Sequence, residues 1–261
     1  MKKLVSRFMA VLMAMTMILS MSMTAFAAEA PKGTLTVNNT VAGKNLDLYQ
    51  IFTATKSGEN VAYTLNSAYE GFFQSKISGA STLTGEALSE KAYEYVKTQV
   101  GTDGSNGAAF AKDIMGWILS ASGETKTAVE STHSTTTTAD TKTVIENLAY
   151  GYYVVYPLGA TDTSTAPGNE AVKSVASLVS VTGDATVNMK SNYPTVVKKV
   201  NDKNADDVNI GDTVTYTLTS KVPDMTGYTS YVFNFKDTLS AGLTFKEITS
   251  VTVGSGENVQ T

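Results

Sequence analysis

The sequence contains no cysteine. That excludes disulfides, a thiol nucleophile and any zinc site built on thiolates. A covalent staple, if the fold has one, must come from other chemistry. Histidine is nearly as scarce, with His133 the only one. A lone histidine has no second imidazole with which to share a metal, and no nucleophile elbow lies near it. The stretch around it, residues 125–143, is rich in Thr and Ser and reads as a polar loop or edge hairpin. A hydrolase therefore has no catalytic constellation behind it. Trp117 is the only tryptophan. It falls on a helical apolar stripe, which makes it a core residue before a ligand-stacking one.

Positive charge is short as well. Twenty Lys and Arg stand against 24 Asp and Glu, for a net charge of −4. An acidic, arginine-poor chain is a poor candidate for nucleic acid. Long apolar runs are confined to one segment, Phe8 to Thr24. It follows the basic Lys2, Lys3 and Arg7 and ends at the small-x-small site Ala25-Phe26-Ala27. These are the marks of a secretory signal peptide over residues 1–27. A retained membrane anchor is the competing reading. The run is short for it, carries Thr and Ser, and ends at a cleavage pattern. Removing the segment makes the chain three charges more negative and leaves about 234 residues, enough for one large or two ordinary domains. No cell-wall anchoring signal is seen, and the chain stops inside a strand-turn-strand pattern, Ile248 to Thr261, as a truncated domain would.

What is present is mostly β. Gly33 to Val37 alternates as a strand. Leu46 to Phe52 places Leu46, Leu48, Gln50 and Phe52 on one face and Tyr49 and Ile51 on the other, as in a strand covered on both sides. Val61 to Leu65 is a third. The period then changes. Ala87 to Val100 carries Leu88, Ala92, Tyr95 and Val96 at helical spacing, with Ser89 and Glu90 as start signals and Gly101 as a stop. Ala108 to Leu119 repeats it with Phe110, Ile114, Trp117 and Ile118. Val144 to Tyr156 is aromatic and β-branched and fits a central strand, with Gly151 allowing a bulge or turn. Thr161 to Glu170 is a loop, and strands at Val172 to Val181 and Ala185 to Met189 complete a first domain, residues 28–192. Pro194 marks the boundary, because the residue before a proline is forced extended. A second domain, residues 193–261, is β throughout. Thr213 to Ser220 alternates Val214, Tyr216 and Leu218 with threonines, Pro223 to Thr229 is a loop, and Tyr231 to Asp237 and Leu243 to Phe245 read as strands. Short strands with frequent turns indicate an antiparallel sandwich.

Two charges break that pattern. In Tyr193 to Val200, period two puts Val196, Lys198 and Val200 on one face. In Tyr231 to Asp237 it puts Tyr231, Phe233, Phe235 and Asp237 on one face. A lysine and a carboxylate, each on the apolar face of its strand, suggest a buried pair. The alternative stays open that both faces are mixed and each charge reaches water at a strand end, since Lys and Asp are seldom fully buried.

Three stretches carry a family likeness: Leu148-Ala-Tyr-Gly-Tyr-Tyr-Val-Val155, Asp184 to Pro194 with the following Thr195 to Val200, and Phe235-Lys-Asp-Thr-Leu-Ser-Ala-Gly-Leu-Thr-Phe245. With these the chain resembles Gram-positive sortase-assembled pilin (fimbrial) subunits over nearly its whole mature length. The resemblance implies immunoglobulin-like sandwiches, the first with inserted helices, and no cofactor. It implies a cell-surface location, other pilin subunits and sortase as partners, and a structural rather than an enzymatic role. It further implies an isopeptide bond in the second domain, with Lys198 the nucleophile, Asp237 the promoting acid, and the asparagine expected beyond Thr261. In such pilins a lysine directly after Tyr-Pro joins the subunits. Thr195 stands there, which leaves Lys190 and Lys199 as candidates, or a tip or accessory subunit. The first domain has no lysine in Thr34 to Val37 and has Tyr156 where an acid would be, so no isopeptide bond is expected there. The alternative function is a surface adhesin that binds a host protein or glycan through the insertion at residues 66–143.

Overall fold

A computed structural model describes residues 31–101, 104, 106–120, 129–162, 174–189, 191–228 and 230–254. Residues 1–30, where the signal peptide is expected, Lys190 and the residues after 254 lie outside the described residues, as does most of the loop after Thr161.

The chain opens with three strands, β1 (Lys32–Asn38), β2 (Asn45–Ser57) and β3 (Asn60–Leu65). A 3₁₀ turn, Ser67–Tyr69, leads into α1 (Glu70–Lys76), followed by α2 (Gly85–Val100) and α3 (Gly107–Leu119). The strands resume as β4 (His133–Thr136), β5 (Lys142–Ala149), β6 (Gly151–Pro157), β7 (Thr161–Asp162), β8 (Ser177–Val181), β9 (Ala185–Asn188) and β10 (Ser191–Asn192). A hairpin of β11 (Val197–Val200) and β12 (Tyr216–Thr219) follows. The architecture is mainly β, as the sequence indicates.

Among the described residues the first sheet runs β5-β1-β9, with β1 and β9 parallel. The second runs β3-β2-β6-β8 and carries β4 on β2. One face of β2 and β6 packs on the first sheet, burying Leu46, Leu48, Tyr153 and Val155 with Leu35, Val37, Ile145 and Val187. The other face packs on the helices, burying Tyr49, Ile51, Val154 and Tyr156 with Phe72, Phe73, Leu88, Phe110 and Ile114. Three layers result, and the middle sheet is covered on both sides. That explains the near-continuous apolar run of β6. The helices supply their share through stripes: Leu88, Ala92, Val96 and Val100 recur every fourth residue along α2 and are all buried. Gly101, at φ 78°, ends that helix.

Three expectations are corrected. Phe52 leaves the face of Leu46 and Leu48 and joins the helical side, because the β2–β6 register slips between Gln50 and Phe52. A bulge of this kind turns every later side chain to the opposite face. The single strand at 144–156 is two: β5 pairs with β1 and β6 with β2, with the chain crossing between sheets at Tyr150. Ser89 starts no helix. Thr84 is the N-cap of α2, and the Ser89 hydroxyl, buried in its second turn, accepts a hydrogen bond from Leu65 N at 2.8 Å.

The chain comprises two compact units, Met1–Thr229 and Ser230–Thr261. Residues 193–228 lie within the first. In the second, the strands expected at Tyr231 to Asp237 and Leu243 to Phe245 do not form among the described residues. A strand exists only as part of a hydrogen-bonded ladder, and no ladder joins these segments among the described residues. Phe233 and Phe235 share a face, their rings edge-on with centroids 5.2 Å apart, and both are exposed.

Candidate functional site

Lys198 sits on the β11–β12 hairpin. The strands pair antiparallel, with Lys198 opposite Leu218 and Val200 opposite Tyr216. Directly opposed residues project on the same face, so Lys198, Val200, Tyr216 and Leu218 share one. Tyr216 and Leu218 are half-buried there, and the threonines between and after them are exposed. The Lys198 amine lies 4.5 Å from the centre of the Tyr216 ring, a cation–π contact. Lys198 itself is exposed. Lys199 faces the opposite side, opposite Thr217, and is exposed too.

The hairpin is closed by a polar turn. Asn201 and Asp202 take positive φ, 47° and 61°, conformations that Asn and Asp tolerate. Asn201 N donates to Thr215 O at 2.8 Å, and its side-chain oxygen accepts from Thr215 N at 3.1 Å. Asp206 accepts from Lys203 Nζ and from Asn201 Nδ2, each at 2.8 Å. Those hydrogen bonds, Lys203 first, hold its carboxyl below the usual carboxylate range. Just before β11, Tyr193 is half-buried against the helical-side core, with the Lys44 amine 4.9 Å from its ring centre. Burial pushes its phenol up to about 12.

Asp237 belongs to the second unit, where it is exposed. Lys198 and Asp237 thus lie in different units, each described by itself, and each is exposed within its own. Lys190, the other intersubunit candidate, lies outside the described residues.

A second surface belongs to the helices. Ser75, Lys76, Lys112, Asp113, Gly116, Trp117 and Thr226 line an open groove of about 530 Å³. Lys76 Nζ pairs with Asp113 Oδ1 at 2.7 Å. Trp117 is half-buried, its ring 5.8 Å from Phe72 and 6.4 Å from Tyr69. Sequence patterning placed Trp117 on the core stripe but gave no sign of the groove, because Thr226 is distant in sequence. His133 stands in the edge strand β4 opposite Leu48. Among the described residues no group of three His, Cys, Asp or Glu side chains is placed to hold a metal. No described helix is long and apolar enough to cross a membrane.

No family model matches the chain, and no curated protein matches it. Among solved structures, the chain is similar to Gram-positive backbone pilins. One is the T6 backbone pilin of serotype M6 Streptococcus pyogenes, which has a modular three-domain structure decorated with variable loops and extensions. The likeness covers 77% of this chain and 37% of that one, at 15% identity and a TM-score of 0.34. Another is the full-length major pilin SpaD from Corynebacterium diphtheriae, with 74% and 37% covered, 14% identity and a TM-score of 0.26. The chain thus spans little more than a third of the length of each.

Proposed function

We propose that the chain is a structural subunit of a cell-surface pilus, exported by its leader and joined to its neighbours by sortase. In this reading its second domain is stapled by an intramolecular isopeptide bond. The observation that carries the proposal is the lysine on an apolar strand face: Lys198 shares its side of the hairpin with Val200, Tyr216 and Leu218.

The chemistry follows from desolvation. Burial disfavours charge on a lysine and on a carboxylate alike. Enclosed together, Lys198 passes a proton to Asp237, and the pair becomes neutral. The free amine attacks an asparagine carboxamide carbon. The protonated Asp237 hydrogen-bonds the carbonyl oxygen and polarises it, then supports proton transfer to the leaving nitrogen. One C–N bond forms, one C–N bond breaks, and ammonia leaves. The reaction occurs once per molecule and is self-modification. Its stabilisation resembles that of a disulfide, about 2–4 kcal/mol, and it is inert to reductants.

Intact mass of the full-length subunit tests this. A deficit of one ammonia per bond is expected, and it should vanish in Lys198→Ala and in Asp237→Ala. A deficit that persists in Lys198→Ala rules out this residue assignment. The groove beside Trp117 favours a second reading, an adhesin whose helical insertion binds a host protein or glycan. Saturable binding by the intact chain that is lost in Lys112→Ala would support it.

A further inference from the structure

We propose that residues 222–228 form a clasp that fastens the end of the β11–β12 hairpin to helix α3, so that the chain leaving the hairpin is anchored on the first domain. The clasp does not depend on pilus assembly or on the isopeptide bond.

A two-stranded hairpin is marginal on its own, and this one pairs with no further strand among the described residues. After β12 the chain does not run free into solvent. Pro223 is buried although it lies in a loop. Asp224 N donates to Ala160 O at 2.8 Å, tying the loop to the turn after β6. The Asp224 carboxylate accepts from Thr226 Oγ1 at 2.8 Å and from Thr226 N at 3.3 Å, and Tyr228 N donates to Met225 O at 3.0 Å. These bonds fold the loop into a fixed shape.

Gly227 then meets the helix. Its φ is +82°, and a Cβ placed on it would stand 2.7 Å from Gly116 O and 2.8 Å from Leu119 Cβ. Only hydrogen fits there, so two backbones touch. The loop stays in contact on the helix side as well: a Cβ on Gly116 would meet Thr226 Cγ2 at 3.5 Å, an ordinary packing distance. Tyr228 also reaches the first domain, adding to burial and Asp47 in pushing the Tyr49 phenol up to about 12. With Tyr193 held at the entrance to β11, the hairpin is pinned at both ends.

The test is trypsin cleavage after the exposed Lys221, followed by fragment mass on the intact chain. Cleavage requires local opening, and its rate follows the open population. Gly227→Ala is expected to raise it about tenfold or more. Gly211→Ala is the control. It imposes a similar φ, +98°, but its Cβ meets nothing within 4 Å, and it should leave the rate near that of the unaltered chain. Equal rates in the two variants would overturn the clasp. Asp224→Ala decides the matter if Gly227→Ala does not fold. It frees Thr226 without adding an atom, and should raise cleavage several-fold and shift the fluorescence of Trp117, beside Thr226, to the red. Native cleavage and native emission in Asp224→Ala would also overturn the proposal.

Discussion

Gly151 is the position at which a single methyl group should do most damage. It is the buried first residue of β6, opposite Thr53, where the β2–β6 ladder slips register. A Cβ there would lie 2.5 Å from Phe52 O, 2.7 Å from Gln50 Nε2 and 2.9 Å from Gln50 Cγ. The two Gln50 atoms can move, but at a cost. Gln50 Nε2 donates to Tyr150 O and to Tyr153 Oη, each at 3.0 Å, and Tyr153 passes the chain on to Ala149 O at 2.7 Å. Each lost bond is worth about 1 kcal/mol. The Phe52 carbonyl cannot move without its strand, and overpacking of that sort costs about 1–3 kcal/mol. Gly151→Ala should therefore destabilise by about 3 kcal/mol or more, as measured by urea unfolding followed through Trp117 fluorescence with an unchanged m-value. Gln50→Ala removes two of the three obstacles, so the double variant should be more stable than additivity allows by about 1–2 kcal/mol. A Gly151→Ala chain within about 1 kcal/mol of the unaltered protein, or strict additivity, would refute this account of the bulge.

The remaining predictions concern the core, the tyrosines and the surface. Phe72 is fully buried among the rings of Phe73, Phe110 and Trp117, so Phe72→Ala should cost about 3–5 kcal/mol in the same assay. Burial holds the phenols of Tyr49 and Tyr193 up at about 12, from an ordinary 10.0, and raises those of Tyr69, Tyr152 and Tyr153 as well. A folded-state pKa above the unfolded one means stability that is whole below pH 10.0 and is lost as pH climbs towards about 12. Melting temperature should fall across that window, with phenolate absorbance rising in step with unfolding. The Lys76–Asp113 pair is on the surface, and Lys76→Met should change stability by less than about 1 kcal/mol.

The fold was legible where periodicity was long and unbroken. β1, β3, α2, α3 and β9 stand where the alternation or the helical stripe puts them. Helix α1 escaped notice because seven residues hold barely two turns, too few for a stripe to repeat. The split between β5 and β6 was hidden because both halves are apolar. The local signs were Gly151 and Asn147, whose φ is +57°. Phe52 was misplaced by a bulge, which leaves no mark on the alternation itself. At the hairpin, the residues sharing a face with Lys198 along its own strand could be read, but Tyr216 could not, because its contact depends on cross-strand register. The loop at 223–228 was recognised as a loop. Its packing on α3 joins residues far apart in sequence, and nothing nearer than Gly116 and Gly227 themselves announces it.

The Tyr216 ring bears on the order of events in the stapling proposal. A ring beneath an ammonium attracts the charged form, whereas the nucleophile is the neutral amine. On the exposed hairpin the Lys198 amine lies 4.5 Å from the centre of that ring. Reaction needs the opposite surroundings, a dry face that also encloses a carboxylate able to take the proton. Covering Val200, Tyr216 and Leu218 with an opposing sheet would supply both the burial and the acid. Chemistry then follows sheet closure and cannot direct it. In refolding of the full-length subunit, native β-sheet circular dichroism should be complete before ammonia loss begins. Tyr216→Leu, which keeps the face apolar and removes the ring, should quicken the second step and leave the first unchanged.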